Sequence, residues 1–493
     1  LALGLANFIP AALNSELLYG TPVYPVTAQV LSTLQRSYSW LLVVIVMFYA
    51  GELVWKERSQ RIHEVTDAMP VPGWVPLVAK FTTLLAVIVL FQLIGSVAAI
   101  AFQLAKGYTA LEPALYLKQL ALNSIPFVLM GGMALCLQVL ANNKFVGYAL
   151  LVLVMVLQGV MGYLNLEHNL YTFGAWPNAP YSDMNGYGHF LAGQLAFQGY
   201  WLLLLVALLC GAIALWVRGT DAGHRARVAR QRMRGRLGVA FALALLSFAA
   251  VGGVLYWNTN VRNTYRSSDD VLDLRARYER EYKRYARLPQ PKILAIDADF
   301  DLYPERQSMR VEGRYLIHNP HARPLGEVHV AMQDDKALQR IDLGAATLLK
   351  HDKDAGYRIY RLAQPLQPGE RRELRFTVDM RPNGITNGVA RNELAGNGTF
   401  FDNRLLPFFG YQPRYQISDR NERRKRGLGE PERAAKLEDV AARNAHQLDD
   451  DADWLDFKAT VCTAPDQTAL APGYLKREFT RNGRRCFRYE MDR

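Results

Sequence analysis

Four cysteines in 493 residues are too few for a disulfide scaffold. No stretch reads Gly-x-x-x-x-Gly-Lys-Ser/Thr, so an ATPase serving this chain has to be another subunit. No His-Glu-x-x-His occurs either. His63-Glu64-Val-Thr-Asp67 starts like one, but it lacks the second imidazole that a helix must present at i+4 to hold zinc. The first residue is Leu1, with no charged leader and cleavage site before the first apolar run. The last residues, up to Arg493, directly follow a strand-like run, Cys486–Met491, so the sequence reads as a segment of a longer protein.

Charge is unevenly placed. The formal net charge is +12, which on its own suggests nucleic acid. In the first half, however, the positive residues sit in loops between apolar runs, which points to membrane topology and away from a nucleic-acid partner. Six runs are long enough to cross a bilayer, which takes about 20 helical residues. They are Ser37–Trp55, Phe81–Phe102, Leu120–Leu140, Phe145–Leu164, Gln198–Val217 and Leu237–Trp257, and none carries a charge in its middle. Alternate loops hold twelve basic residues (among them Lys56, Arg58, Arg61, Lys80, Lys144 and seven arginines in 218–236) against three, Arg36, Lys106 and Lys118. The rich loops are therefore expected on the cytoplasmic side of a bacterial inner membrane, and the chain after Trp257 in the periplasm. The loop from Asn165 to Phe197 has no Lys or Arg and many Gly, Pro, Tyr and Asn, which predicts an ordered outer cap.

Within the spans the polar residues are Glu52, Gln92, Asn123, Gln138 and Gln158. Only Glu52 is ionisable, and it is expected to snorkel or to pair with Lys56, so no proton relay is indicated. Gly131, Gly132, Gly159 and Gly162 are expected to let helices approach closely. The arginine run 218–236 is expected to enforce topology, with contact to anionic lipid as a by-product. After the first span comes GELVWKERSQRIHEVTDAMPVPGWVPLVAKF, Gly51 to Phe81. A short charged helix over Lys56–Asp67, a break at Pro70–Pro72 and Lys80 before the next span resemble the first intracellular loop of type-2 ABC exporter permeases. The resemblance implies a coupling element that docks on a separate cytoplasmic ABC ATPase. Glu57, Arg58, Arg61 and Glu64 would be its docking residues and Pro70 and Pro72 its turn, with ATP bound only by that partner. An ordinary basic membrane-proximal helix is the plainer reading.

After residue 257 the sequence is as charged as a soluble domain. Ser267–Asp269 can cap a helix whose apolar stripe is Val271, Leu274, Tyr278, Tyr282 and Tyr285, ended by Pro289 and Pro291. This stalk is expected to lean on the membrane-facing surface or on its own domain. Strand signals follow at Lys292–Phe300, Met309–Asn319, Leu325–Met332, Tyr357–Leu362, Arg371–Met380, Trp454–Cys462, Tyr474–Thr480 and Arg485–Met491. A charged, helical or irregular stretch is expected over Arg414–Asp453. Tyr303-Pro304, Gly313, Leu316-Ile-His-Asn319, Gln364-Pro-Leu-Gln-Pro-Gly-Glu370, Asn397-Gly-Thr-Phe-Phe401, Pro407-Phe-Phe-Gly-Tyr411, Asp419-Arg420…Arg424 and Leu455–Ala464 occur in an order that resembles the amino-terminal β-saddle domain of the leukotriene A4 hydrolase-like zinc aminopeptidases. That family's zinc and substrate motifs lie beyond its saddle, so the resemblance places no catalytic residue and no metal ligand in this chain, and zinc only in a domain after Arg493. A generic β-sandwich binding a partner or cargo remains the rival.

The expected architecture is an extracytoplasmic lead-in (1–36), a six-span helical membrane domain (37–257), a stalk helix (258–291) and an all-β saddle or sandwich domain (292–493). The expected function is the membrane subunit of an ABC-type exporter, pairing as a dimer or with another permease half and carrying a peptidase-like module. The alternatives are a membrane-anchored aminopeptidase and a non-catalytic binding module. Cys136 and Cys210 lie in spans, whereas Cys462 and Cys486 lie in strand-like runs on the side expected to be oxidising. They are a candidate disulfide, with two separate thiols as the alternative.

Overall fold

The computed structural model describes residues 2–13, 24–141, 143–217, 225–431, 435–440 and 454–492. The arginine run begins in 218–224, and the charged stretch before the last strands includes 441–453; both segments lie outside the described residues. Two compact units form. The first holds Leu1–Tyr265 with Ile385–Ala390, and the second holds Arg266–Gly384 with Arg391–Arg493.

The first unit is helical because an apolar segment in hydrocarbon must satisfy every backbone group within itself. Its helices are α1 (Ala2–Leu13), α2 (Thr27–Ser59), α3 (His63–Thr66), α4 (Val75–Ala105), α5 (Pro113–Leu140), α6 (Lys144–Tyr163), α7 (Phe190–Leu215), α8 (Arg225–Arg232) and α9 (Arg236–Tyr256). Six of them are long and apolar enough to cross a membrane. In the lead-in, α1 packs Phe8 against Phe102, and α2 starts at Thr27, ten residues before the expected span. Leu31, Leu34, Tyr38, Leu42, Val46, Ala50 and Val54 form the buried stripe of α2 at three- and four-residue steps. Gly131 and Gly132 allow close packing: a Cβ at Gly132 would lie 2.3 Å from Leu205. Gly159 and Gly162 do not, because nothing lies within 4 Å of a Cβ at either, and α6 buries only Gly147 and Leu151.

In this unit the expected cap loop, 165–197, is ordered around a buried histidine, His168. The Leu170 amide donates to His168 Nδ1 (3.1 Å), and Nε2 lies 3.0 Å from Thr259 Oγ1 and 3.1 Å from the Asn260 side-chain amide. Thr259 belongs to a π-helical turn, Trp257–Arg262, that continues α9. Asn169 exchanges two bonds with Asn387 of the 385–390 segment, 2.9 and 2.6 Å. Trp201 Nε1 donates to Ala175 O.

Among the described residues the second unit has two sheets and the helices α10 (Ser268–Tyr282) and α11 (Arg420–Lys425). Its strands are β1 (Lys292–Tyr303), β2 (Ser308–His318), β3 (Leu325–Ala331), β4 (Leu338–Asp342), β5 (Ala346–Asp352), β6 (Tyr357–Leu366), β7 (Arg371–Met380), β8 (Phe408–Phe409), β9 (Asp456–Thr463), β10 (Tyr474–Arg481) and β11 (Arg484–Met491). The large sheet runs β10-β11-β9-β1-β2-β7-β4 and the small one β5-β6-β3-β8. All pairs are antiparallel except β1 with β9, which run parallel from Ala295↔Asp456. Alternation along β2 and β7 sends Met309, Val311, Leu374, Phe376 and Val378 into the core and charged residues outward.

Of the two resting places expected for the stalk helix, the structure gives the domain itself. Ser267 and Asp270 form a capping box, and Tyr278 and Tyr282 pack on Tyr357 and Tyr411. Beneath them Glu279 and Arg423, 4% and 2% exposed, form a two-pronged ion pair at 2.7 and 2.8 Å. Cys462 and Cys486 are directly opposed on β9 and β11, with sulfurs 2.06 Å apart, and β10 lies on the flank.

Candidate functional site

The segment between α2 and α4 departs from the expected single helix over Lys56–Asp67. Lys56 to Ser59 are the last turn of α2. Gln60 closes that turn by donating to Lys56 O, and Arg61 then takes a left-handed conformation, φ 58°. A side chain there costs about 1–2 kcal/mol and stops the helix. The four-residue α3 follows, and Pro70 and Pro72 lie exposed before α4. Glu57 and Arg58 therefore belong to the span, while Arg61 and Glu64 belong to the loop.

Both span residues are engaged within the unit. Glu57 Oε1 lies 2.6 Å from Lys80 Nζ, which is buried at the head of α4 and sits over the Trp216 ring at 5.9 Å. Arg58 donates to Val217 O (2.9 Å) just beyond α7 and stacks on Trp55. Trp55 Nε1 donates to Gln138 Oε1, and Gln138 donates to Lys144 O. Glu52 pairs with Lys144 at 3.0 Å, correcting the expected partner Lys56. Arg232 donates to the carbonyls of Ile213, Ala214 and Trp216, groups that a helix end otherwise leaves unpaired. One end of α2, α4, α5, α6 and α7 is thus laced together by charged and polar side chains.

Sequence reasoning missed what the loop exposes. Arg61 and Glu64 are solvent-facing, but so are Ile62, Val65, Met69 and Trp74, with Val65 64% exposed. Four large apolar residues thus lie exposed on a thirteen-residue stretch (62–74) of an otherwise charged loop. Their spacing among Arg61, Glu64 and Asp67 was the readable signal.

At the other end of the unit a cleft of about 480 Å³ opens between α2, α5 and the cap, beside a much smaller pocket of about 40 Å³ between α2, α4 and α5. Gln119 Nε2 donates to Gln35 Oε1 across it, Tyr187 hydroxyl donates to Gln119, and Gln92 donates to Ser124 Oγ (2.8 Å).

In the second unit the outward face of the large sheet forms a shallow basin of about 1150 Å³. Its charges are mostly paired along or across strands, as Arg314 and Arg488 are with Asp297. Among the described residues no three His, Cys, Asp or Glu side chains come together in a way that would hold a metal ion. The described residues give zinc no ligand set, and no chemical step is assigned to it.

Two of the solved structures similar to this chain are M1 zinc metallopeptidases from Deinococcus radiodurans. One, a variant bound to a Tyr-Ser-Ala substrate, is 13% identical with a TM-score of 0.24, covering 42% of this chain and 40% of that one. The other is 12% identical with a TM-score of 0.26, covering 41% and 39%. The chain thus spans about two fifths of the length of these structures, and a likeness at such scores decides neither fold nor activity. No protein-family model and no curated protein matches the chain.

Proposed function

We propose that this chain is the membrane-spanning part of an ABC-type exporter, coupled to a separate cytoplasmic ATPase through the α2–α4 loop. Its β unit is the non-catalytic amino-terminal portion of a peptidase-like module on the extracytoplasmic side. The observation that carries this reading is the build of the loop. A coupling element needs a surface for the motor and a stiff linkage to the spans. Ile62, Val65, Met69 and Trp74 supply the surface. Glu57–Lys80 and Arg58–Val217 supply the linkage, so that a push on α3 reaches α2, α4 and the end of α7 together. The membrane halves pair, as one loop per motor subunit requires.

Ile62→Asp with Val65→Asp changes only exposed side chains, so expression and thermal stability should hold. Stimulation of the ATPase by the membrane subunit in liposomes should be lost. Stimulation equal to wild type in that variant removes the coupling reading.

A membrane-anchored peptidase is favoured by one observation. α6 and α9 each bury only two residues, as passive lipid-facing anchors would. In that case the loop variant leaves every activity of the protein unchanged.

A further inference from the structure

We infer that the cleft between α2, α5 and the cap loop binds an uncharged, hydroxyl-rich ligand of one or two sugar rings. Its volume of about 480 Å³ falls in the range of small-molecule sites, about 300–1,000 Å³. Six carboxamides line it: Gln29 and Gln35 from α2, Gln119 and Asn123 from α5, Asn178 from the cap loop and Gln194 from the head of α7. Polar side chains are costly on long apolar helices and are kept where they line a path or a ligand. Gln194 is the sharpest instance. The residue is 8% exposed and lines the cleft, and its side chain makes no hydrogen bond among the described residues. Its amide therefore has only the cleft in which to find a partner. Asn123, half-buried, lines the cleft with its amide equally unbonded. Gln119 is held from both sides, accepting from the Tyr187 hydroxyl and donating to Gln35, so its orientation is set before a ligand arrives.

The chemistry of the lining selects the ligand class. No Lys or Arg is part of it, and Asp183, exposed on the cap loop, is its one carboxylate. An anion would lose its hydration with no counter-charge to replace it, and a zwitterion would find only half of what it needs. An organic cation could use Asp183 but would leave the six amides without partners. A carboxamide offers a donor and an acceptor side by side, which is what neighbouring hydroxyls offer in return. Sugar rings also carry C–H faces that rest on the negative faces of aromatic rings. Trp176, Tyr181 and Tyr187, all half-buried, line the same cleft, and Tyr181 meets Tyr187 edge to face at 5.4 Å. The site goes beyond the coupling reading and rests on the cleft alone.

The full chain in lipid nanodiscs, carrying Cys136→Ala, Cys210→Ala and Ser32→Cys, is labelled with a water-soluble methanethiosulfonate. Ser32 lines the cleft, and Asn178→Cys serves as the second position if Ser32→Cys misfolds. The probes are maltose, cellobiose and N,N′-diacetylchitobiose. A disaccharide present at about ten times its Kd should slow labelling about tenfold. In the native background, Gln194→Leu should weaken binding of that sugar roughly five- to tenfold, the loss of one hydrogen bond, with the melting temperature unchanged. Absence of protection at both positions by all three sugars at about 10 mM overturns the assignment. Equal protection by N-acetylalaninamide or by tetramethylammonium overturns it as well, as does wild-type sugar affinity in Gln194→Leu. Protection without ATPase stimulation leaves the site standing and removes only the export reading.

Discussion

Glu279 and Arg423 are separated by 144 residues and meet fully buried, so neither is readable from local sequence as anything but a surface charge. Burial raises the Glu279 carboxyl, but the hydrogen bonds and charges of Arg423 and Lys283 outweigh it, and the group ends below its ordinary value. Arg423→Met strands the carboxylate and should cost about 3–5 kcal/mol, whereas Arg423→Met with Glu279→Gln should recover most of that. Thermal unfolding of the three proteins checks this, and equal losses in single and double variants would disprove it. A carboxyl held low in the fold stabilises above its unfolded pKa, so this contribution should fade as pH falls below about 4.5.

His168 illustrates the opposite case. Burial lowers it to about 4. The unfolded chain binds the proton first, so stability of the cap should fall as pH drops from about 6.5 toward 4. Protonation would place a hydrogen on Nδ1 against the Leu170 amide. The protection factor of the Leu170 amide, its exchange rate corrected for the intrinsic pH dependence, should therefore fall over that window in the wild type and be flat with pH in His168→Asn. The sequence showed an ordered cap but not its pivot, because Thr259 lies 91 residues away.

At the level of elements, the long apolar helices were legible because a bilayer imposes one length and one hydrogen-bonding solution. Strands with clear alternation, β1, β2 and β7, were equally plain. β4, β5 and β8 were not, being short, charged or only two residues long, and set by their neighbours in the sheet. The coupling segment was half legible. Its charge and prolines were visible, yet the span swallowed Glu57 and Arg58, since a helix already hydrogen-bonded continues until something stops it. In the β5–β6 turn, Gly356 has φ 61° and a Cβ there would lie 2.0 Å from Met332 O. Gly356→Ala should cost more than about 2 kcal/mol, whereas Gly344→Asn, with equally positive φ (75°) but open space, should be nearly silent. Comparable melting temperatures for the two would refute the steric account.

For the whole molecule, the proposed topology puts the disulfide on the oxidising side of the membrane. The Cys462–Cys486 bridge closes 24 residues and is worth about 3 kcal/mol on the chain-entropy model, but only in an oxidising compartment. In intact cells an impermeant thiol reagent should reach Ser182→Cys and miss Asp67→Cys, and the reverse pattern would invert the topology. Removing both paired cysteines should lower the melting temperature of the wild type but not that of protein kept reduced throughout.

The parallel pairing of β1 with β9 also sets a timetable for synthesis. Strand β1 emerges from the ribosome early, can zip onto β2 at once, and then waits with its other edge bare until β9 is made. Closing a chain loop of about 160 residues costs roughly 4–5 kcal/mol in entropy before the first bond across it forms. The large sheet is therefore slow to finish, and a nascent molecule carries an open, adhesive strand edge throughout that interval. A chaperone that holds extended segments would have its natural client in this half-built intermediate, and a stalled or truncated copy ending before Asp456 would be the form most prone to aggregate.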